Sequence, residues 1–150
     1  MKTSEKIDLI APALLAAQQQ IGNATKNAKN PHFKNNYADL GAIIDAIKDP
    51  LNKQGIAVVQ SLSSADSGTS GGLLLRTRLL HASGQWIEDT AFTPLPKADP
   101  QGVGSATTYL RRYSLAALLC ITQEDDDGEG ARPSIPAQQA KPVAKKDDFI

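Results

Sequence analysis

Ile7, Ile10, Leu14, Ala17 and Ile21 recur at helical spacing, which predicts a first helix over about residues 5–21. Pro12 falls inside this pattern and sets the regular helix back to about Ala11. The polar and basic stretch Gly22–Pro31 reads as a loop. A second helix follows: Asp39 can cap it, and Leu40, Ile43, Ile44, Ile47 and Leu51 form one apolar stripe. Pro50 should kink its last turn, and Gly55 sits where a C-terminal cap belongs.

The period then changes from helical to alternating. Ile56–Leu62 reads as a short strand, Ser63–Gly72 as a Ser/Gly/Asp loop, and Leu73–His81 and Gln85–Phe92 as two strands around the turn Ala82-Ser83-Gly84. In the middle strand Leu73, Leu75, Thr77 and Leu79 share one face, and Arg76 and Arg78 share the other. Thr93–Pro100 carries three prolines and reads as a loop. Gly102–Gly104 leads into an Ala/Leu-rich helix from about Ser105 to Cys120. The order α-α-β-β-β-α predicts an α+β domain: a three-stranded antiparallel meander with helices packed on one face. Residues 1–123 form this domain, and the acidic, proline-containing segment 124–150 is expected to be a disordered tail.

Charge sharpens that division. The net charge is zero, but residues 1–123 hold 12 Lys/Arg against 9 Asp/Glu, while residues 124–150 hold 4 against 7. A mildly basic body suits a polyanion, although ordinary solubility charge would look the same. Membrane spans are excluded by the shortness of the apolar runs, and a signal peptide by the polar N-terminus, so a cytoplasmic protein is expected. The single cysteine, Cys120, allows no internal disulfide.

Three groups of residues carry candidate chemistry. In Asn30–Leu40, His32, Phe33, Lys34 and Tyr37 stand among amides, with Lys26 and Lys29 just upstream. Single strands are held by such mixtures, cations following the backbone and bases stacking on aromatic rings. Phe33 and Tyr37 could equally anchor the second helix. In the second group, Asp99–Tyr113, glycines with Ser105 and Thr108 at a helix N-terminus could present N–H groups to a phosphate. Arg111 and Arg112 follow between Tyr109 and Tyr113 and could grip phosphates bidentately, or simply form a solvated face. Third, Arg76 and Arg78 with Lys97 would floor a basic channel if they face the same groove; otherwise they are solubilising charge on an exposed sheet.

Enzyme signatures fail. There is no P-loop, and Gly102-Val103-Gly104 lacks the third glycine of a dinucleotide loop. One cysteine with two distant histidines, His32 and His81, makes a poor zinc site. Asp125-Asp126-Asp127-Gly128 imitates a calcium loop, but Gln123 and Ser134 would occupy its first and last ligand positions. No cofactor and no metal are expected.

Several motifs together resemble the ERF (essential recombination function) family of phage single-strand annealing proteins. They are Asn-Pro-His-Phe-Lys-x-x-Tyr-Ala-Asp-Leu at 30–40, His-x-Ser-Gly-x-Trp at 81–86, Asp-Pro-Gln-x-x-Gly-Ser-x-x-Thr-Tyr-x-Arg-Arg-Tyr at 99–113 and Leu-Ala-Ala-Leu-Leu-Cys-Ile-x-x-Glu-Asp-Asp-Asp at 115–127. The resemblance covers about residues 5–128. It implies a β-β-β-α core, assembly into a homo-oligomeric ring or helical filament, and single-stranded DNA bound in a basic groove with Arg111 and Arg112 on the helix after the meander. It further implies ATP-independent pairing of complementary strands, against the alternatives of a passive single-strand coat or, from the enzyme class, a phosphate-handling hydrolase. An exonuclease or a host single-strand-binding protein is a further expected partner. The terminal Lys145-Lys146-Asp147-Asp148-Phe149-Ile150 resembles the tips by which bacterial single-strand-binding proteins dock into enzymes, although a solvated terminus would read the same way.

Overall fold

The computed structural model describes residues 1–24, 28–29, 36–67, 70–95 and 99–122. Among the described residues nine elements follow one another: β1 (Lys2–Thr3), α1 (Ile10–Gln18), β2 (Ala28–Lys29), β3 (Asn36–Tyr37), α2 (Leu40–Lys53), β4 (Ile56–Ser67), β5 (Ser70–His81), β6 (Trp86–Pro94) and α3 (Pro100–Leu119). The fold is α+β, as expected, but its main sheet has four antiparallel strands in the order β1-β6-β5-β4. The three-strand expectation is therefore corrected. The added strand pairs Lys2 with Glu88 and Thr3 with Ile87. Two residues carry no alternation to read; backbone bonds hold them, extended by Ser4 N–H to the Trp86 carbonyl at 2.9 Å. The Met1 ammonium lies 3.0 Å from Asp89 Oδ1, and this hydrogen bond holds the Asp89 carboxyl below its ordinary value.

The alternation in β5 does what it predicts. Leu73, Leu75, Thr77 and Leu79 are buried, and Arg76 and Arg78 point to the opposite face. The helices cover the leucine face, leaving Val59, Leu80 and Phe92 exposed on the other. The stripe of α2 is buried as read, and the Asp39 carboxylate accepts from Ala42 N–H at 2.8 Å as N-cap. The helix runs through Pro50 to Lys53, and Gly55 follows at φ +70°, a conformation glycine tolerates. Helix α1 is shorter than its apolar pattern. Pro12 is its third residue, where no intrahelical N–H bond is needed. Its start is capped from afar: Gln85 Oε1 accepts from Leu9 N–H and Ile10 N–H, both at 2.9 Å.

Two other expectations are corrected. Of the loop expected over Ser63–Gly72, residues 63–67 and 70–72 are strand: β4 and β5 continue their ladder to Ser67↔Ser70, and residues 68–69 lie outside the described residues. Serine and glycine are weak strand formers, but Ser63 and Ser64 sit opposite Leu74 and Leu73, and the ladder begun there continues through Ala65↔Gly72 and Asp66↔Gly71. At Gly72 the chain needs glycine, because a Cβ would collide with the Phe92 ring and come 2.7 Å from the Thr93 carbonyl oxygen. The loop expected over 22–31 contributes a strand to a small hairpin, with Ala28 paired to Tyr37 and Lys29 to Asn36. The expected tail, including the calcium-like run and the terminal tip, lies outside the described residues.

The core has two parts. The larger joins α1, α2 and the C-terminal half of α3 to Ile56 and Leu79; the smaller joins Leu73, Leu75 and Leu110. A polar belt lies between them. Gln60 Nε2 donates to Thr77 Oγ1 at 3.0 Å, and Arg111 Nε donates to Gln60 Oε1 at 3.0 Å.

Candidate nucleic-acid interface

Helix α3 begins earlier than its glycines suggest. Asp99 is the N-cap, accepting from Gly102 N–H at 2.6 Å, and Pro100 takes the first helical position. Val103 N–H is taken by the Asp99 carbonyl at 3.0 Å. The expected N-terminal phosphate cradle is therefore not formed around Ser105: the capping groups are already paired, and Ser105 lies inside the helix.

What α3 offers instead is a side-chain surface. Tyr109 and Tyr113, one turn apart, bring their ring centroids to 4.2 Å at 42°. The Arg112 guanidinium lies 5.7 Å from the Tyr109 centroid and 4.8 Å from that of Tyr113. Arg112 Nη2 donates to the Tyr113 hydroxyl at 3.2 Å and Nη1 to the Ala38 carbonyl at 3.4 Å. Tyr109 is 56% exposed, a large aromatic face open to solvent. Beside it runs an open groove of about 500 Å³ lined by Gln101, Ser105, Thr108, Tyr109, Arg112 and the start of α2 at Asp39 and Leu40. The Thr108 hydroxyl donates to the Gly104 carbonyl at 3.0 Å, so its oxygen still has acceptor capacity.

Two segments that stood far apart in sequence thus meet. Arg112 reaches Ala38, the residue after Tyr37, and the groove wall includes Asp39. Lys29 and Tyr37 belong to the paired strands of the adjoining hairpin. Lys26, His32, Phe33, Lys34 and Lys97 lie outside the described residues.

Arg111 and Arg112 do not act as one pair. A helix turns about 100° per residue, so successive side chains diverge. Arg111 is tied to Gln60 in the belt and lines a second groove of about 340 Å³ between α2 and β4, with Lys48 and Ile44. Arg76 and Arg78 do not join Arg112 either, because the sheet stands between them and α3. They converge on Glu88, which is 5% exposed: Arg78 Nη2 and Nε each lie 2.7 Å from Glu88 Oε2, and Arg76 Nε lies 3.3 Å from Oε1. Arg78 also sits 4.4 Å above the Trp86 ring. One carboxylate shared by two guanidiniums leaves a single net positive charge there.

Sequence reasoning missed Glu88, Gln60 and the tyrosine pair as a stacking surface. The spacing of Tyr109 and Tyr113 at i and i+4 was the available signal for the last.

An α+β domain with an exposed aromatic–guanidinium rim beside an open groove presents the class of surface that accommodates unpaired bases and phosphates. The chain belongs to the ERF superfamily, whose family model matches residues 10–149. Membership points to DNA recombination and strand annealing. No curated protein and no solved structure matches the chain. Among the described residues, no helix is long and apolar enough to cross a membrane.

Proposed function

We propose that this protein is a single-strand annealing protein of phage-type recombination. It coats single-stranded DNA as a ring or helical filament of identical copies and pairs complementary strands without ATP. The reading is carried by the exposed Tyr109–Tyr113 pair with Arg112 over both rings at the rim of the α3 groove. Bases stack on the tyrosines, Arg112 meets a phosphate, the Ser105 hydroxyl donates to the backbone, and the Thr108 oxygen accepts from a base amino group. The Asp39 carboxylate on the opposite wall repels phosphate and so biases the strand toward the α3 side. Screening the backbones removes the repulsion between two strands, and base pairing supplies the free energy. No nucleotide, metal or catalytic group enters, and the protein acts in the cytoplasm of a bacterial host beside an exonuclease or a single-strand-binding protein.

Two fluorescently labelled complementary oligonucleotides test this. The protein should accelerate their pairing, whereas a passive coat would slow it. Tyr109→Ala should weaken single-strand binding by about 1–3 kcal/mol, roughly 5- to 150-fold. Arg112→Ala should weaken it as well, with the far-UV circular dichroism spectrum unchanged for both. Wild-type affinity in the Tyr109→Ala/Arg112→Ala double variant would remove the site.

A further inference from the structure

The main sheet has two unequal edges. On one side β4 runs for 12 residues, and residues 56–65, Ile-Ala-Val-Val-Gln-Ser-Leu-Ser-Ser-Ala, contain no charge and no proline. Among the described residues no backbone hydrogen bond reaches this strand from any element but β5. On the other side β1 covers β6 at Ile87 and Glu88 and the Met1 ammonium reaches Asp89, and among the described residues no backbone pairing reaches residues 90–94 along that edge. Natural sheets usually protect long edges with lysine, proline, bulges or a covering element. Among the described residues, β4 has none of these along residues 56–65.

Side chains at this edge also want a neighbour. Leu62 pairs with the buried Leu75, which puts it on the core face, yet it is 42% exposed. Nothing among the described residues covers it, because α2 packs over the other end of β4. Val59 and Phe92, at the two edges, are exposed as well.

Resting on the reading that the protein works as an oligomer, we infer that the edge of β4 joins the bare stretch of β6 in a second copy of this chain, head to tail. The two free stretches lie at the same end of the sheet, since Ser61 and Thr90 both pair with Arg76. β4 and β6 run in the same direction, each antiparallel to β5, so copies related by rotation about the strand direction join as parallel neighbours over β4 residues 61–65 and β6 residues 90–94, with the first half of β4 splaying away from β1 of the next copy. Such a contact uses two different surfaces and therefore propagates into a ring or filament, whereas β4 meeting β4 would close at a dimer. Propagation keeps every α3 groove on the same side of one continuous sheet, the arrangement a long strand requires.

Cross-linking decides it. In a Cys120→Ser background, Ser61→Cys or Ser63→Cys is combined with Thr90→Cys, all at exposed positions on one face. Within one chain, Ser61 and Thr90 lie two strand spacings apart, about 9.5 Å, beyond the ~7 Å reach of a disulfide. Oxidation should give a ladder of covalent trimers and larger species, and each single-cysteine variant should give none. Leu62→Lys should reduce the oligomer measured by light scattering while the circular dichroism spectrum holds. Efficient dimers from Ser61→Cys or Ser63→Cys alone would overturn the inference in favour of β4 against β4. An oligomer by light scattering with no cross-link in either double variant would overturn it and leave the annealing reading standing. A monomer with and without oligonucleotide would overturn both.

Discussion

Arg111 and Arg112 are adjacent in sequence and divided in role. Arg112 belongs to the tyrosine rim, while Arg111 closes a hydrogen-bonded belt with Gln60 and Thr77 between the two halves of the core. Arg111→Ala should cost about 1–3 kcal/mol of unfolding free energy, because it leaves the Gln60 carbonyl oxygen without its charged donor. Urea denaturation reads that loss, and Arg112→Ala should show a smaller one. The sequence could not separate these roles, because Gln60 is distant in the chain and one uncharged residue in a strand gives no signal. Glu88 was within reach. Counting outward from the turn at Ala82–Gly84 sets Arg78 opposite Glu88, and the alternation that put Arg76 and Arg78 on one face puts Glu88 there too. Without their cross-strand partner the arginines read equally as a channel floor or as solubilising charge, and the ion pairs with Glu88 stay hidden. Arg76→Ala should accordingly weaken oligonucleotide binding less than Arg112→Ala, as fluorescence anisotropy would show.

Among the elements, those whose stability is local were legible and those held by partners were not. Helix α2 shows its cap, its stripe and its terminal glycine in the sequence, and all three serve as read. Strand β1 is two residues held by backbone pairing, and the outer arms of β4 and β5 are built from weak strand formers that continue a ladder begun at Leu73 and Leu74. The N-terminus of α3 was misjudged because Gly102 and Gly104 suggest a loop, while Asp99-Pro100 supplies a cap and a preset first turn. Asp99→Ala should therefore destabilise the protein by about 1 kcal/mol, within a typical range of 0.5–2, in thermal or urea unfolding. At the other end, Cys120 adopts φ 56° as the α3 cap, a left-handed conformation that is costly for a side chain with a Cβ. Cys120→Gly should raise stability by about 0.5–1 kcal/mol, since the relief of strain exceeds the added freedom of the unfolded chain.

Taken whole, the molecule is a two-sided plate. One face of the sheet carries the helices and, on their exposed side, the tyrosine rim; the other carries the Arg76–Arg78–Glu88 cluster. Among the described residues, the helical face brings a guanidinium to a groove with stacking rings, so strand binding should combine a few phosphate contacts with substantial stacking. Salt dependence separates these contributions, since counterion release scales with the phosphates neutralised while stacking does not. If each copy neutralises about four phosphates, the logarithm of the binding constant should fall against the logarithm of salt with a slope near roughly −3 per copy. Arg112→Ala should make that slope shallower by about 0.7, the share of one phosphate on a single strand. Tyr109→Ala should lower affinity at every salt concentration and leave the slope alone. Titrations between about 50 and 200 mM salt, a range over which such contacts change measurably, can record all three lines. Parallel lines for wild type and Arg112→Ala would mean that Arg112 orders the tyrosine rings through its contacts with them rather than meeting a phosphate, and the electrostatic part of the grip would then have to come from elsewhere on the helical face.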